Sequence, residues 1–165
     1  MGNLLNRTLS MLVKYFDGNI KSEFMVKTEL NKEVFEKAKK TIEEVKHHFD
    51  YFEVAEASLK IVELVDCVNK FVTDNAPWTL AKEEKMTECG VVLYSVLEVM
   101  CTITSLIYPY CPNIAANMAK QLSYDINTKL DDIGQDNIKE GLLIKKEDIK
   151  PVFLRLDSEL ADKKK

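Results

Sequence analysis

The chain has 165 residues, of which 46% are hydrophobic and 30% charged, with only five Gly and four Pro. That is an ordinary globular, helix-leaning composition for one domain, long enough to bury about 70% of the surface its unfolded form exposes. A net charge of −4 excludes a generic phosphate binder held by bulk electrostatics, so any recognition of nucleic acid has to be local, through a few bases.

Periodicity is helical nearly throughout. The N-terminus MGNLLNRTLSML lacks a separate charged region and a cleavage site, so it is no secretory signal. Leu5, Leu9, Leu12 and Phe16 step by four, three and four to make a core stripe, while Asn3, Arg7, Ser10 and Lys14 step the same way on a different face. Asp17-Gly18 supplies the turn that ends this first helix. Residues 19–29 read as a loop, and Thr28 or Asn31 is placed to cap the second helix.

The second helix is expected over about 31–49, with Phe35, Ala38, Ile42, Val45 and Phe49 on its core face and a solvated Glu/Lys remainder. His47 and His48 fall at its C-terminal end, where a partly protonated imidazole suits the helix dipole. Adjacent positions point to different faces, so the pair makes a poor metal chelate.

The third helix is expected over about 51–75. Its stripe is Ala57, Ile61, Leu64, Val68 and Phe71, widened by Ala55, Leu59 and Val62, which suggests burial on two sides. Asp66 and Asn69 interrupt it and would need hydrogen-bond partners if buried. Pro77 stops the helix, because it has no N–H and biases Ala76 away from helical geometry. The only tryptophan, Trp78, follows directly. On the residues alone two readings are open: the indole plugs the end of the bundle, or it stands clear of the core as a stacking surface.

A fourth helix is expected over about 82–108. Its stretch CGVVLYSVLEVMCTITSLIY (89–108) imitates a membrane span, but Glu98 in mid-span would cost about 2.5–3.5 kcal/mol there. The neighbouring amphipathic helices also need something apolar to pack on, so a central bundle helix is favoured. Pro112 suits the first position of a fifth helix, 112–123, with Ile114, Met118 and Leu122 facing inward. Beyond Tyr124 the pattern weakens. Residues 125–150 read as irregular, with 124–148 looser than the bundle, 151–157 (PVFLRLD) as a short extended segment, and the terminal lysines as frayed.

Cys67, Cys89, Cys101 and Cys111 contain no CxxC pair, and three lie in apolar helical runs. They read as small reduced core residues rather than a zinc site or disulfide framework, which implies a cytosolic-type compartment. Chemistry is otherwise absent: there is no Gly-rich phosphate loop, no HExxH and no nucleophile elbow. Among the carboxylates only Glu98 and Asp66 have apolar settings, and each reads as a buried residue satisfied by a neighbour rather than as a catalyst. No catalytic residue and no metal ligand is assigned. A helix bundle of this kind suits binding or docking.

Four blocks carry a resemblance. GNLLNRTLSMLVKYFDG (2–18), YFEVAEASLKIVELVDCVNKFVTDNAPWTLAK (51–82), VLYSVLEVMCTITSLIYPYCP (92–112) and EGLLIKKEDIKPVFLRLD (140–157) resemble, in order, the C-terminal half of bacterial-type methionyl-tRNA synthetase. Asn-Leu-x-x-Arg in the first helix together with Asn-Ala-Pro-Trp after the third is the specific part. The resemblance implies an all-α, five-helix anticodon-binding bundle of the class I synthetases over 1–123. A C-terminal tail, 124–165, would then be irregular, short and extended near its end, and would pack back toward a catalytic domain. Neither the HIGH nor the KMSKS motif of that domain occurs here. The chain opens partway into the expected first helix and so reads as a domain cut from a longer ligase, with ATP and Mg belonging to the catalytic domain and no cofactor in this chain.

The roles implied by the resemblance fall residue by residue. Asn3 and Arg7 match the family's Asn and Arg, which bind anticodon bases and their edges. Trp78, with Pro77 beside it, matches the Trp that stacks on the splayed first base of the CAU anticodon. The implied partners are the anticodon loop of tRNA(Met) and the parent catalytic domain, with no membrane and no metal, in the cytoplasm or an organelle lumen. The sequence departs from the family pattern at Thr73, where many members are acidic, and in a Lys-rich tail. Two other readings stand beside this one: a stand-alone helical protein-interaction bundle derived from this domain, with Trp78 buried and Asn3 and Arg7 paired to carboxylates, and the anticodon domain of a related class I synthetase.

Overall fold

The computed structural model describes residues 1–127, 132–134 and 137–152. Among them are six α-helices: α1 (Gly2–Phe16), α2 (Glu29–Asp50), α3 (Val54–Asn75), α4 (Pro77–Lys82), α5 (Met86–Ile107) and α6 (Pro112–Leu122). Five form the expected all-α bundle. The short α4 was not expected, since six residues are too few to show a period. Pro77 at its first position and Ala76 before it set its start.

The arrangement centres on α5. Every residue from Cys89 to Ile107 is buried, and α1, α2, α3, α4 and α6 all pack against it. Its polar groups are satisfied inside the protein rather than by a membrane fold: the Ser95 hydroxyl donates to Val91 O at 2.7 Å and that of Thr104 to Met100 O at 2.7 Å. The Ser105 hydroxyl meets that of Tyr124 at 2.7 Å. Gly90 is needed where it stands, because a Cβ there would run into the Phe24 ring.

The helix ends follow local chemistry. Asp17 closes α1 in the left-handed region at φ 51, and Gly18 continues there at φ 78. Thr28 and Asn31 act together rather than as alternatives. The Asn31 side chain accepts from the Thr28 N–H at 2.9 Å and donates to Val26 O at 2.8 Å and Ser95 Oγ at 3.0 Å. One buried amide thus caps α2 and ties it to α5.

Three expectations are corrected. First, α3 buries one side only: Leu59 is 61% and Val62 55% exposed, and Ala55 is exposed too. The helix docks on α2 and α5 through the Ala57–Phe71 stripe together with Val72, and Asp66 and Asn69 simply face solvent. Second, α3 begins at Val54, because Phe52 turns left-handed at φ 60 and sits 89% exposed. Third, the cysteines divide: Cys89 and Cys101 are buried, Cys67 is partly so, and Cys111 is exposed.

The described tail is irregular yet anchored. Ile133, Ile138, Ile144 and Val152 join the core. Ile20 N donates to Leu142 O at 3.1 Å, Gly141 N to Ile20 O at 3.1 Å and Ile144 N to Gly18 O at 2.9 Å, so the tail pairs with the α1–α2 loop. The Glu98 carboxylate accepts from Asn137 N and Nδ2, each at 2.7 Å, and from Ile138 N at 2.9 Å. Glu98 is therefore the satisfied buried residue that its setting suggested. The extended segment expected over 151–157 and the terminal lysines fall, from residue 153 on, outside the described residues.

Candidate nucleic-acid interface

The first side of the site is the solvent face of α1. Leucines at 5, 9 and 12 are fully buried, which fixes the helix's rotation and turns Asn3, Arg7, Ser10 and Lys14 outward, all exposed. Asn3 and Arg7 stand one turn apart on that face. Helix α1 contains no acidic residue, and neither does the stretch 75–82.

The second side is the α3–α4 corner. Helix α3 ends when Ala76 enters the left-handed region at φ 37, its N–H donating to Val72 O. A non-glycine residue in that region carries strain on the order of 1 kcal/mol. Here Pro77 limits the alternatives and three contacts hold the corner: Thr79 N to Ala76 O at 2.7 Å, Asn75 Nδ2 to Phe71 O at 2.8 Å and Cys89 Sγ to Pro77 O at 3.4 Å. Pro77 is buried beneath, so it anchors the corner rather than facing a ligand. Trp78, next to it, is partly buried and packs against the hydrophobic core.

The two sides meet. The Arg7 guanidinium lies over the Trp78 ring, 5.5 Å from its centroid, within the range of a cation–π contact worth about 0.5–1 kcal/mol at exposed sites. The expected site residues thus gather on one patch, Asn3 and Arg7 from α1 and Trp78 from α4, with Pro77 as the foundation. Trp78 is neither of the two extremes: part of the indole packs on the core and part remains accessible. Among the described residues the Arg7 guanidinium has no ion-pair partner and the Asn3 side chain no hydrogen-bond partner. The patch offers an aromatic surface, a planar donor fork and an amide with donor and acceptor. That set fits unpaired bases, which are recognised by stacking plus edge hydrogen bonds.

Other candidates show no comparable chemistry. His48 Nδ1 lies 2.7 Å from Glu53 Oε2 across the α2–α3 turn, and the His47 and His48 rings stand 5.8 Å apart. Burial pushes the Cys89 thiol up to about 11 and, with Glu98 nearby, the Cys101 thiol well above its ordinary range, which makes both poor nucleophiles.

Comparison with known proteins points the same way. Residues 24–149 match the family of the anticodon binding domain of methionyl tRNA ligase. That match contains Trp78 and stops short of α1. Curated relatives extend it: the methionine–tRNA ligase of Fusobacterium nucleatum is 35% identical over 164 residues, covering 96% of this chain and 25% of that protein. The one from Caldanaerobacter subterraneus is 33% identical over 161 residues, with the same coverage of both. This chain therefore spans about a quarter of the length of these relatives. In three dimensions it is similar to Mycobacterium tuberculosis methionyl-tRNA synthetase in its free state, with a TM-score of 0.82, 24% identity, and 94% of this chain and 31% of that one covered. The matched residues include the bundle and the corner that presents Trp78, and on that ground the chain belongs to the anticodon-binding domain family of the methionyl-tRNA ligases.

Proposed function

We propose that the chain reads the CAU anticodon of tRNA(Met) through Asn3, Arg7 and Trp78, and serves a ligase whose catalytic domain, with its ATP and Mg, lies outside this chain. The observation that supports the reading is the meeting of Arg7 and Trp78, carried on two segments that contain no acidic residue. A chain with 27 acidic residues keeps all of them out of the two segments that build this patch, as approach of an RNA backbone would require. On this reading a splayed base stacks on the indole, while Asn3 and Arg7 bond to base edges. The same comparisons favour a cytoplasmic or organellar translation enzyme.

The reading as a protein-interaction bundle requires Asn3 and Arg7 to be paired with carboxylates, and Arg7 instead rests on an aromatic ring. The deciding experiment is titration of this chain with a stem-loop carrying CAU and with single-base variants of that loop. Discrimination should be lost in Asn3→Ala, and binding of every loop should weaken in Trp78→Ala. Equal binding of all loops by the unaltered chain would remove the proposal.

A further inference from the structure

An apolar surface that the proposed site does not use lies at the start of α3. Tyr51, Phe52, Val54, Leu59 and Val62 each expose half or more of their surface, and Ala55 is exposed among them. Ala55, Leu59 and Val62 recur at four and three, and Val54 stands eight before Val62, so the four fall on one side of the helix. The hydroxyl of Ser58, between them, donates to Ala55 O at 2.7 Å and so is satisfied within the helix. Phe52 is the sharpest anomaly. Its backbone takes the left-handed region at φ 60, which lets Phe52 N donate to Phe49 O at 3.1 Å and Glu53 N to His48 O at 2.8 Å. Glycine is the usual residue at such a helix end and would close the turn as well. The phenyl adds strain and an exposed ring without serving the turn, which places its use outside this single chain.

We propose that this face of α3 pairs antiparallel with the same face of a second copy of the chain, across a twofold axis between Ser58 and Leu59. Charge favours a copy over other partners. Glu56, Glu63, Asp66 and Lys70 border the face, and Glu63 is bonded to Lys37 at 3.1 Å and to Lys60 at 3.0 Å. Three carboxylates are thus matched by three lysines. A border without a dominant sign does not repel its own copy, and it does not steer toward RNA or a basic peptide. The axis brings the two Leu59 side chains together, sets each Val62 over the copy's small Ala55, and lays each Phe52 across the copy's Val65. The exposed parts of these side chains come to on the order of 600 Å² per copy, so a pair buries roughly 1,200 Å², the low end of specific interfaces. Helix α3 carries this face at one end and Ala76 at the other, about 30 Å apart, so pairing leaves the nucleic-acid patch of each copy open. The proposal does not rest on the anticodon reading.

Sedimentation velocity on the unaltered chain, from about 1 to 300 µM, should show the average mass rising toward that of two chains, as a small interface implies. Leu59→Glu, at an exposed position, should melt like the unaltered chain and require at least about tenfold higher concentration to associate. Leu59→Lys should do the same. An equimolar mixture of the two variants should associate again, because the axis sets position 59 of one copy against position 59 of the other. A chain that stays monomeric throughout this range would overturn the pairing and leave the face to a different partner, such as the remainder of a longer ligase. Association that survives Leu59→Glu, or that the mixture does not restore, would overturn it as well.

Discussion

Partial burial makes Trp78 answer to two measurements at once. Trp78→Ala should weaken stem-loop binding by about 1–3 kcal/mol, the worth of one base–aromatic stack. Thermal melts should show a stability loss below the about 3–5 kcal/mol typical of removing a fully buried aromatic, because only part of the indole packs on the core. A loss at the top of that range with binding unchanged would make the residue a core plug. Glu98 gives the complementary case of a polar group with structural duty. Glu98→Ala would leave the amides of Asn137 and Ile138 without their acceptor, at a cost of about 1–3 kcal/mol. Hydrogen exchange should register this first as faster exchange at Ile138, ahead of any change in α5. Exchange at Ile138 that stays slow in the variant would mean that the buried isoleucines alone hold the tail.

Among the elements, α5 tolerates change least. Gly90→Ala should destabilise the bundle by about 1–3 kcal/mol through overpacking against Phe24, read as a lower urea midpoint with unaltered slope. A neutral result would show that the Phe24 loop can shift. The long helices were legible because core stripes such as Leu5–Leu9–Leu12 and Ala57–Ile61–Leu64–Val68 repeat over several turns. Helix α4 was not, for want of length. The outer face of α3 was misread because Leu59 and Val62 have the right residue type and spacing, and only the positions of α2 and α5 decide which side is covered. The anchoring of the tail was not legible for a different reason: its isoleucines are too sparse to show a period, and its pairing with residues 18–20 is long-range. For the site, Asn3 and Arg7 were legible as a helix face, and Trp78 as an anomaly after a proline. That Arg7 reaches the indole follows from how α1 and α4 sit on α5, which no local pattern carries.

At the scale of the whole molecule, stability should fall on the alkaline side. Burial raises the Cys89 and Cys101 thiols above the range they have when unfolded. Below that range both states hold the proton and nothing changes. As pH climbs past about 9, the unfolded chain releases protons that the folded chain still keeps, so folding is penalised progressively. Urea midpoints should drop between pH 8 and pH 10.5, and substituting both cysteines with Ala should flatten the slope. The dominance of α5 has a further consequence, for the order in which the protein is made. Helices α1 to α3 leave the ribosome before the segment they pack on, and the α2–α3 hairpin alone has a mutual partner by then. A chain ending at Lys85 should show helical circular dichroism without a cooperative melt. During synthesis the leucines of α1 wait, uncovered, until residues 86–107 emerge, and for that interval the nascent chain is a client for chaperones that bind exposed apolar helices.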